Sequence, residues 1–318
     1  MHSYTVLVTG AGGFIGANLV RKLQAANYRV HIIWKSTTNP LRIKDIKTNL
    51  IFHEVDLANL TVLKHTLGKI QPDYIFHLAT HGAYSSQTDA NLMEKVNVQG
   101  TLNLLQATLN IPYKVFVNTG TSSEYGFKNK PMKETDLLTP TSVYAATKAA
   151  ATLLGQVFAR IYNKPIVTLR PFSVYGPFEE PSRFIPTIIR AVLTNTSIRL
   201  TAGNIRRDFV YVDDVVNAYL KTMTKGPKLK GEILNIGTGR QYTNDEVVKT
   251  FFTVTKKSVF VKKGAFNKRS WDTDCWVADI SRAKKILAWK PAYSLAEGLR
   301  KTYNWSLRYH ALSYGSKK

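Results

Sequence analysis

Short apolar runs alternate along this chain with longer amphipathic stretches. The runs "TVLVTG", "RVHIIW", "LIFHEVDL", "YIFHLAT", "KVFVNTG" and "PIVTLRP" have strand length and are rich in β-branched and aromatic residues. Runs of this kind suit strands covered on both faces. Between them, helical spacing marks residues 15–26, 60–70, 93–109 and 143–162, the last alanine-rich and favoured by propensity. Strands alternating with helices predict an α/β fold built on a doubly wound parallel sheet. After Pro171 the texture changes. Pro177, Pro181 and Pro186 punctuate loops, a helical pattern returns in "DFVYVDDVVNAYL", and a further strand reads in "EILNIGTG". This later part is expected to form a second lobe woven into the first, without repeats or a low-complexity linker.

Composition narrows the picture. A chain of 318 residues, 44% of them apolar, can bury a sizeable core as one large domain or two interleaved lobes. Its apolar runs fall far short of the roughly 20 residues of a membrane span. The start "MHSYTVLVTG" runs directly into a strand, without a basic head or an apolar leader. A cytoplasmic protein with no membrane partner is expected. Cys275 is the only cysteine, which excludes an intramolecular disulfide and a cysteine-rich zinc site. No ligand cluster at metal spacing appears. The formal charge of +23 raises the question of nucleic acid. The basic residues are spread along the chain without an aromatic-interleaved module, so no nucleic-acid partner is expected. A positive surface also steers small phosphorylated anions inward.

The chemistry begins at "VTGAGGFIGANL". Gly10, Gly13 and Gly16 stand between a strand and a helix, so Gly10 permits a tight turn, Gly13 close approach of a pyrophosphate and Gly16 close helix packing. The phosphates would face the helix start at Phe14 and Ile15. The fold expectation becomes Rossmann-like. An NAD site usually carries a carboxylate about 20 residues on, at the end of the second strand. Here Trp34 is followed by Lys35, Ser36 and Thr37. A lysine with two hydroxyls suits the extra phosphate of NADP, so NADP(H) is favoured, with NAD(H) the alternative. Asp56 and Leu57 are candidates for the adenine.

In "SVYAATKAA", Tyr144 and Lys148 lie four residues apart on one helix face. A nearby ammonium would stabilise the phenolate, and Tyr144 could then shuttle a proton at a sugar oxygen. His77 and His81 have no such context and read as structural.

At this point the chain resembles the extended short-chain dehydrogenase/reductase family of sugar-nucleotide epimerases, dehydratases and reductases. The resemblance rests on "TGAGGFIG", "HLAT", "NVQGT", "YAATK", "LRPFSVYGP" and "RRDFVYVDDVV" in that order. It implies that Thr121 hydrogen-bonds the reacting oxygen, and that Lys148 binds the nicotinamide ribose and lowers the Tyr144 pKa. Leu78, Ala79, Asn97 and Pro171 would line the cofactor site. Ser122, Ser123 and Ser173 would face the sugar, Ser173 standing where many relatives have asparagine. Arg207, Arg269 and Asp272 match positions that hold the ribose and phosphates of a nucleotide-diphosphate sugar. The implied division is a dinucleotide-binding domain of residues 1–171 plus about 208–240, and a smaller, interleaved C-terminal substrate-binding lobe of 172–207 plus about 241–318. A homodimer packed through the active-site helix is also implied, and the alanine-rich face from Ala145 to Ala151 is compatible with it.

A dehydratase needs acidic residues after Thr121, where this chain has Ser122 and Ser123. Glu124 comes one position late, and strand alternation would turn it to the other face. The features "RRDFVYVDDVVNAYL", "GAFNKR" and "LAWKP" resemble CDP-abequose synthase-type enzymes. The expectation is an NADPH-dependent reductase of a nucleotide-linked 4-keto-6-deoxy sugar. A 4-epimerase is the alternative, a 4,6-dehydratase less so, and a non-catalytic dinucleotide sensor or scaffold is the reading from a different class.

Overall fold

The apolar runs become strands because both of their faces find cover. The computed structural model describes residues 4–84, 86–266 and 273–314, with side chains as far as 309. In chain order the first part comprises β1 (Thr5–Thr9), α1 (Phe14–Ala25), β2 (Arg29–Trp34), β3 (Ile51–Glu54), α2 (Leu60–Ile70), β4 (Tyr74–His77), α3 (Ala90–Glu94), α4 (Gly100–Ala107), β5 (Val115–Thr119), α5 (Val143–Ile161) and β6 (Ile166–Pro171). The second part adds β7 (Ser173–Tyr175), α6 (Phe184–Leu193), β8 (Ile198–Thr201), β9 (Arg206–Arg207), β10 (Phe209–Tyr211), α7 (Val212–Lys225), β11 (Glu232–Ile236), β12 (Tyr242–Thr243), α8 (Asn244–Thr255), β13 (Val261–Phe266), α9 (Ser281–Leu287) and α10 (Leu295–Tyr314).

Seven of these strands form one sheet in the order β3-β2-β1-β4-β5-β6-β11, every pairing parallel. Side chains alternate across it. Val6 and Val8 of β1 join a core with Leu19 of α1 and Val215 and Tyr219 of α7. Leu7 joins the opposite core with Leu63 and Leu67 of α2, Leu104 of α4 and Phe158 of α5. The strand order reverses between β1 and β4, and in open α/β sheets the crevice at such a reversal holds the ligand. Three two-stranded sheets, β7 with β10, β8 with β13 and β9 with β12, are made by the later part of the chain.

Local chemistry sets the helix starts. The Asn59 side chain accepts from the Val62 amide at 3.1 Å to cap α2, and Ser142 accepts from Ala145 at 3.1 Å to cap α5. The helix expected over 93–109 is not continuous. Between α3 and α4 the chain makes a π-helical turn at Lys95–Gln99, of the kind found at functional sites, and it carries Asn97. Among the described residues no helix is long and apolar enough to cross a membrane.

Candidate active site

The glycine turn after β1 is shaped by close backbone contacts. Gly10 has φ +73°, and a Cβ there would lie 2.5 Å from the Ala79 nitrogen. A Cβ on Gly16 would come within 2.2 Å of the Gly10 carbonyl oxygen. The turn is therefore pressed against Leu78 and Ala79 just beyond β4. Helix α1 then opens at Gly13 with no side-chain cap and no acidic residue in its first turn. The starts of α2, α3, α5 and α8 are instead filled by Asn59, Asp89, Ser142 and Thr243. The free amides of the α1 start fit a pyrophosphate, and the residues present fit a dinucleotide.

The far end of that cradle is unusual. The Trp34 ring packs on the glycine turn, so that a Cβ added to Gly12 would lie 3.1 Å from it, and Trp34 meets Phe52 edge-on at 5.4 Å. Lys35 Nζ sits 3.1 Å from Asp56 Oδ2. The Asp56 carboxyl is held below its usual range, first by the Ala58 amide that it accepts and then by Lys35. The lysine assigned to a phosphate and the aspartate assigned to the adenine are thus paired with each other. Ser36 is exposed, whereas Leu57 is buried and its carbonyl accepts from Asn103 at 2.8 Å.

Asn97, fully buried, is a strut. Its Oδ1 accepts from Thr80 Oγ1 at 3.0 Å and from the His81 amide at 2.9 Å, while its Nδ2 donates to the His81 carbonyl and to Thr147 Oγ1 on α5. His77 is equally spoken for. It lies between Thr9 Oγ1 at 2.7 Å and Thr101 Oγ1 at 2.9 Å. Thr101 donates its own proton to the Asn97 carbonyl, so His77 Nε2–H donates to Thr101 and Nδ1 accepts from Thr9. Burial, reinforced by the Lys148 charge, pushes the imidazole down to about 3. It is a neutral structural histidine.

The stretch "TSSEY" corrects one sequence argument. Strand β5 ends at Thr119, and Ser122–Tyr125 is a turn of 3₁₀ helix, so strand alternation does not govern Glu124. Thr121 caps this turn in a capping box: its Oγ1 accepts from the Ser123 amide at 3.2 Å, and Glu124 Oε1 accepts from the Thr121 amide at 2.8 Å. Glu124 is wholly buried and its Oε2 binds Arg170 Nε at 2.8 Å and Nη2 at 2.7 Å. The Arg170 guanidinium also lies 4.7 Å from the centre of the Tyr125 ring. Glu124 turns inward for this ion pair, and Ser122 and Ser123 remain beside Thr121.

Across the turn lies α5. The Tyr144 phenol is pushed up to about 12 by burial, against the opposing effect of the neighbouring Thr121 hydroxyl. Lys148, 2% exposed, is pushed down to about 8 by burial, with Glu124 acting against the shift. Thr121 and Tyr144 thus face each other, with Lys148 one turn further along α5, but the phenol is raised and not lowered as the resemblance implied: burial outweighs the rest, and Lys148 is not among the groups that act on it. Pro171 closes β6 beside β11, and Ser173 donates its amide to the Asp208 carbonyl at 3.0 Å.

Arg207 lies on β9 with its guanidinium 5.2 Å from the centre of the Trp276 ring. Arg269 and Asp272 lie outside the described residues. Trp276, which sequence reasoning missed, donates its indole N–H to Ser122 Oγ at 3.0 Å. Asp208 was missed too. Its buried carboxylate accepts from the Thr238, Gly239 and Ala278 amides and the Thr238 hydroxyl. Arg170 left a readable signal: an arginine inside the apolar strand "IVTLRP" demands a buried carboxylate.

The model of the NAD dependent epimerase/dehydratase family matches residues 6–237. UDP-glucuronate 4-epimerase of Thermodesulfobacterium geofontis is 32% identical over 313 residues, covering 94% of this chain and 95% of its own. The dTDP-glucose 4,6-dehydratase of Haemophilus influenzae is 27% identical, covering 95% and 97%. Among solved structures, the UDP-glucuronic acid 4-epimerase of Bacillus cereus, in complex with UDP-glucuronic acid and NAD, superposes with a TM-score of 0.85 at 29% identity, over 96% of this chain and 99% of that one.

Proposed function

Because the chain belongs to the NAD-dependent epimerase/dehydratase family, we propose that it is a 4-epimerase of a nucleotide-diphosphate hexose, acting with a retained NAD. The observation that carries this reading is a single turn. Thr121 and Tyr144 meet there, serines rather than carboxylates follow Thr121, and the one nearby carboxylate is committed to Arg170. Such a turn serves proton movement at a sugar oxygen and offers no acid to remove water. The epimerases named above favour return of the hydride to the same sugar over its net delivery.

The chain's own residues divide the work. Tyr144 takes the proton of the C4 hydroxyl and later gives it back, while Thr121 hydrogen-bonds the same oxygen. Lys148 binds the nicotinamide ribose and supplies positive charge one helical turn from the phenol. Gly10, Gly13 and the α1 amides hold the pyrophosphate of the dinucleotide, which accepts and returns a hydride when bound. Ser122 and Ser123 face the sugar from the dinucleotide-binding domain and Ser173 from the C-terminal lobe, where Arg207 and Arg269 meet the substrate phosphates and Asp272 the ribose.

A homodimer accompanies this reading. Of the alanine-rich stretch, Ala145, Ala149 and Ala151 are buried within the subunit, while Ala146 and Ala150 lie on its outer side. Leu153, Val157 and Ile161 form an exposed apolar stripe on α5, at 53%, 45% and 69% exposure, in register for a second copy.

A second reading is favoured by the end of β2, where no carboxylate stands and Lys35, Ser36 and Thr37 follow Trp34. It is the NADPH-dependent reductase of a 4-keto-6-deoxy sugar. One experiment separates the two. Purified protein is given UDP-glucose, UDP-galactose or UDP-glucuronic acid without reductant, and the epimers are quantified by chromatography. In parallel it receives NADPH with CDP- or dTDP-4-keto-6-deoxyglucose. Interconversion of epimers without net cofactor use is expected. NADPH loss on a keto sugar, with no interconversion, would replace the epimerase by the reductase.

A further inference from the structure

The buried carboxylate beneath the catalytic turn has more than a packing role. Glu124 Oε1 holds the Thr121 amide at 2.8 Å, and Oε2 takes both Nε and Nη2 of Arg170, so neither oxygen is spare. The pair is sealed, Glu124 at 0% and Arg170 at 1% exposure. From Arg170 the contacts continue through the Tyr125 ring, whose hydroxyl donates to Asn235 Oδ1 at 2.8 Å. Asn235 in turn donates to the Met132 and Asp279 carbonyls at 2.9 and 3.2 Å. The catalytic turn is therefore fastened to β11 and to the segment that leads into α9.

We propose that Glu124 is a positioning residue: its carboxylate, clamped by Arg170, fixes the Thr121 turn and supplies the counter-charge of the Lys148 ammonium. This rests on the reading of Thr121, Tyr144 and Lys148 as the catalytic group. The charged and titratable groups around that group are few. Lys148 acts on His77 from β4, and Arg170 reaches Glu124 from β6. Tyr144 feels Arg183 and Tyr84 besides Glu124, and Tyr219 of α7 feels Tyr144. His77 is neutral, and among the described residues Glu124 is the carboxylate that opposes loss of the Lys148 proton. A serine or alanine at this position would leave the buried ammonium without that counter-charge.

The test is Glu124→Gln, which keeps an oxygen for the Thr121 amide and removes the charge. In protein carrying ¹³C-lysine, the Lys148 resonance is assigned by its loss in Lys148→Met and titrated without substrate. The midpoint is expected to fall by about one pH unit or more, since a unit corresponds to a modest 1.36 kcal/mol of lost charge stabilisation. The alkaline limit of turnover should move down with it. An unchanged midpoint with an unchanged pH profile would overturn the proposal. Should the lone Arg170 weaken the fold of Glu124→Gln, the same titration is read in sucrose, which favours the folded state. The lysine titration needs no nucleotide sugar. Failure to turn over any such sugar would therefore count against the function proposed above, and the midpoint would still judge Glu124.

Discussion

Lys35 Nζ and Asp56 Oδ2 face each other at 3.1 Å across the ends of β2 and β3. Both side chains are about half exposed, and a pair so placed is worth little to stability. Its consequence is for the cofactor, because the cation that could meet the extra phosphate of NADP is partly neutralised. Asp56→Asn should free Lys35 and tighten NADP(H) several-fold relative to NAD(H). Lys35→Ala should do the reverse. Titration calorimetry with both cofactors measures each ratio, and equal ratios in both variants would remove the pair from cofactor choice.

Tyr144→Phe keeps the ring and deletes the hydroxyl that meets Thr121. Turnover should fall by about 10²–10⁴-fold, the range for loss of a general acid or base. Dinucleotide affinity should stay within about twofold, read by the same calorimetry. Retained turnover would take Tyr144 out of the chemistry, whatever the substrate.

Breaking the sealed pair from its other side bears on folding. Arg170→Met leaves Glu124 charged and alone at 0% exposure. A loss of about 3–5 kcal/mol is expected, as for other buried ion pairs stripped of one partner. Urea unfolding followed by circular dichroism measures it.

The His77 site predicts a pH dependence of stability. The imidazole is pushed down to about 3 in the folded chain, so the unfolded chain binds its proton first as pH falls below about 6.5. Its contribution is complete above that pH and is lost towards about pH 3, at up to about 1.4 kcal/mol per pH unit. His77→Gln should flatten the stability curve over this window in parallel urea series.

The exposed stripe on α5 gives a test of assembly. Leu153→Asp with Val157→Asp should convert a dimer into a monomer in light scattering coupled to gel filtration. A wild-type chain that is already monomeric at micromolar concentration would refute the stripe as an interface.

Much of the frame was legible because it follows from short-range rules. The apolar runs, the three glycines and the spacing of Tyr144 and Lys148 each act within one strand, turn or helix, and α1 and α5 lie within one residue of their expected limits. The break at Lys95–Gln99 was not legible, since a π turn inside a helix leaves the apolar spacing nearly intact. The geometry of Glu124 was missed for a related reason. Alternation was applied to residues that had already left β5 for a 3₁₀ turn. Trp276 escaped because its partner Ser122 is 154 residues away, and no local pattern announces such a contact. The alanines of α5 divide between the two uses that composition leaves open: Ala145, Ala149 and Ala151 pack within the subunit, and Ala146 and Ala150 lie on the outer side.

That distant contact also sets an order of events during synthesis. The glycine turn and the Tyr144 helix leave the ribosome in the first half of the chain, but the indole that completes the Ser122 turn arrives only at residue 276. Met132 likewise waits for the Val277 carbonyl and the Asp279 amide. The glycine turn is thus complete in contacts among residues before 80, whereas the bracing of the catalytic turn waits for residues 276–279.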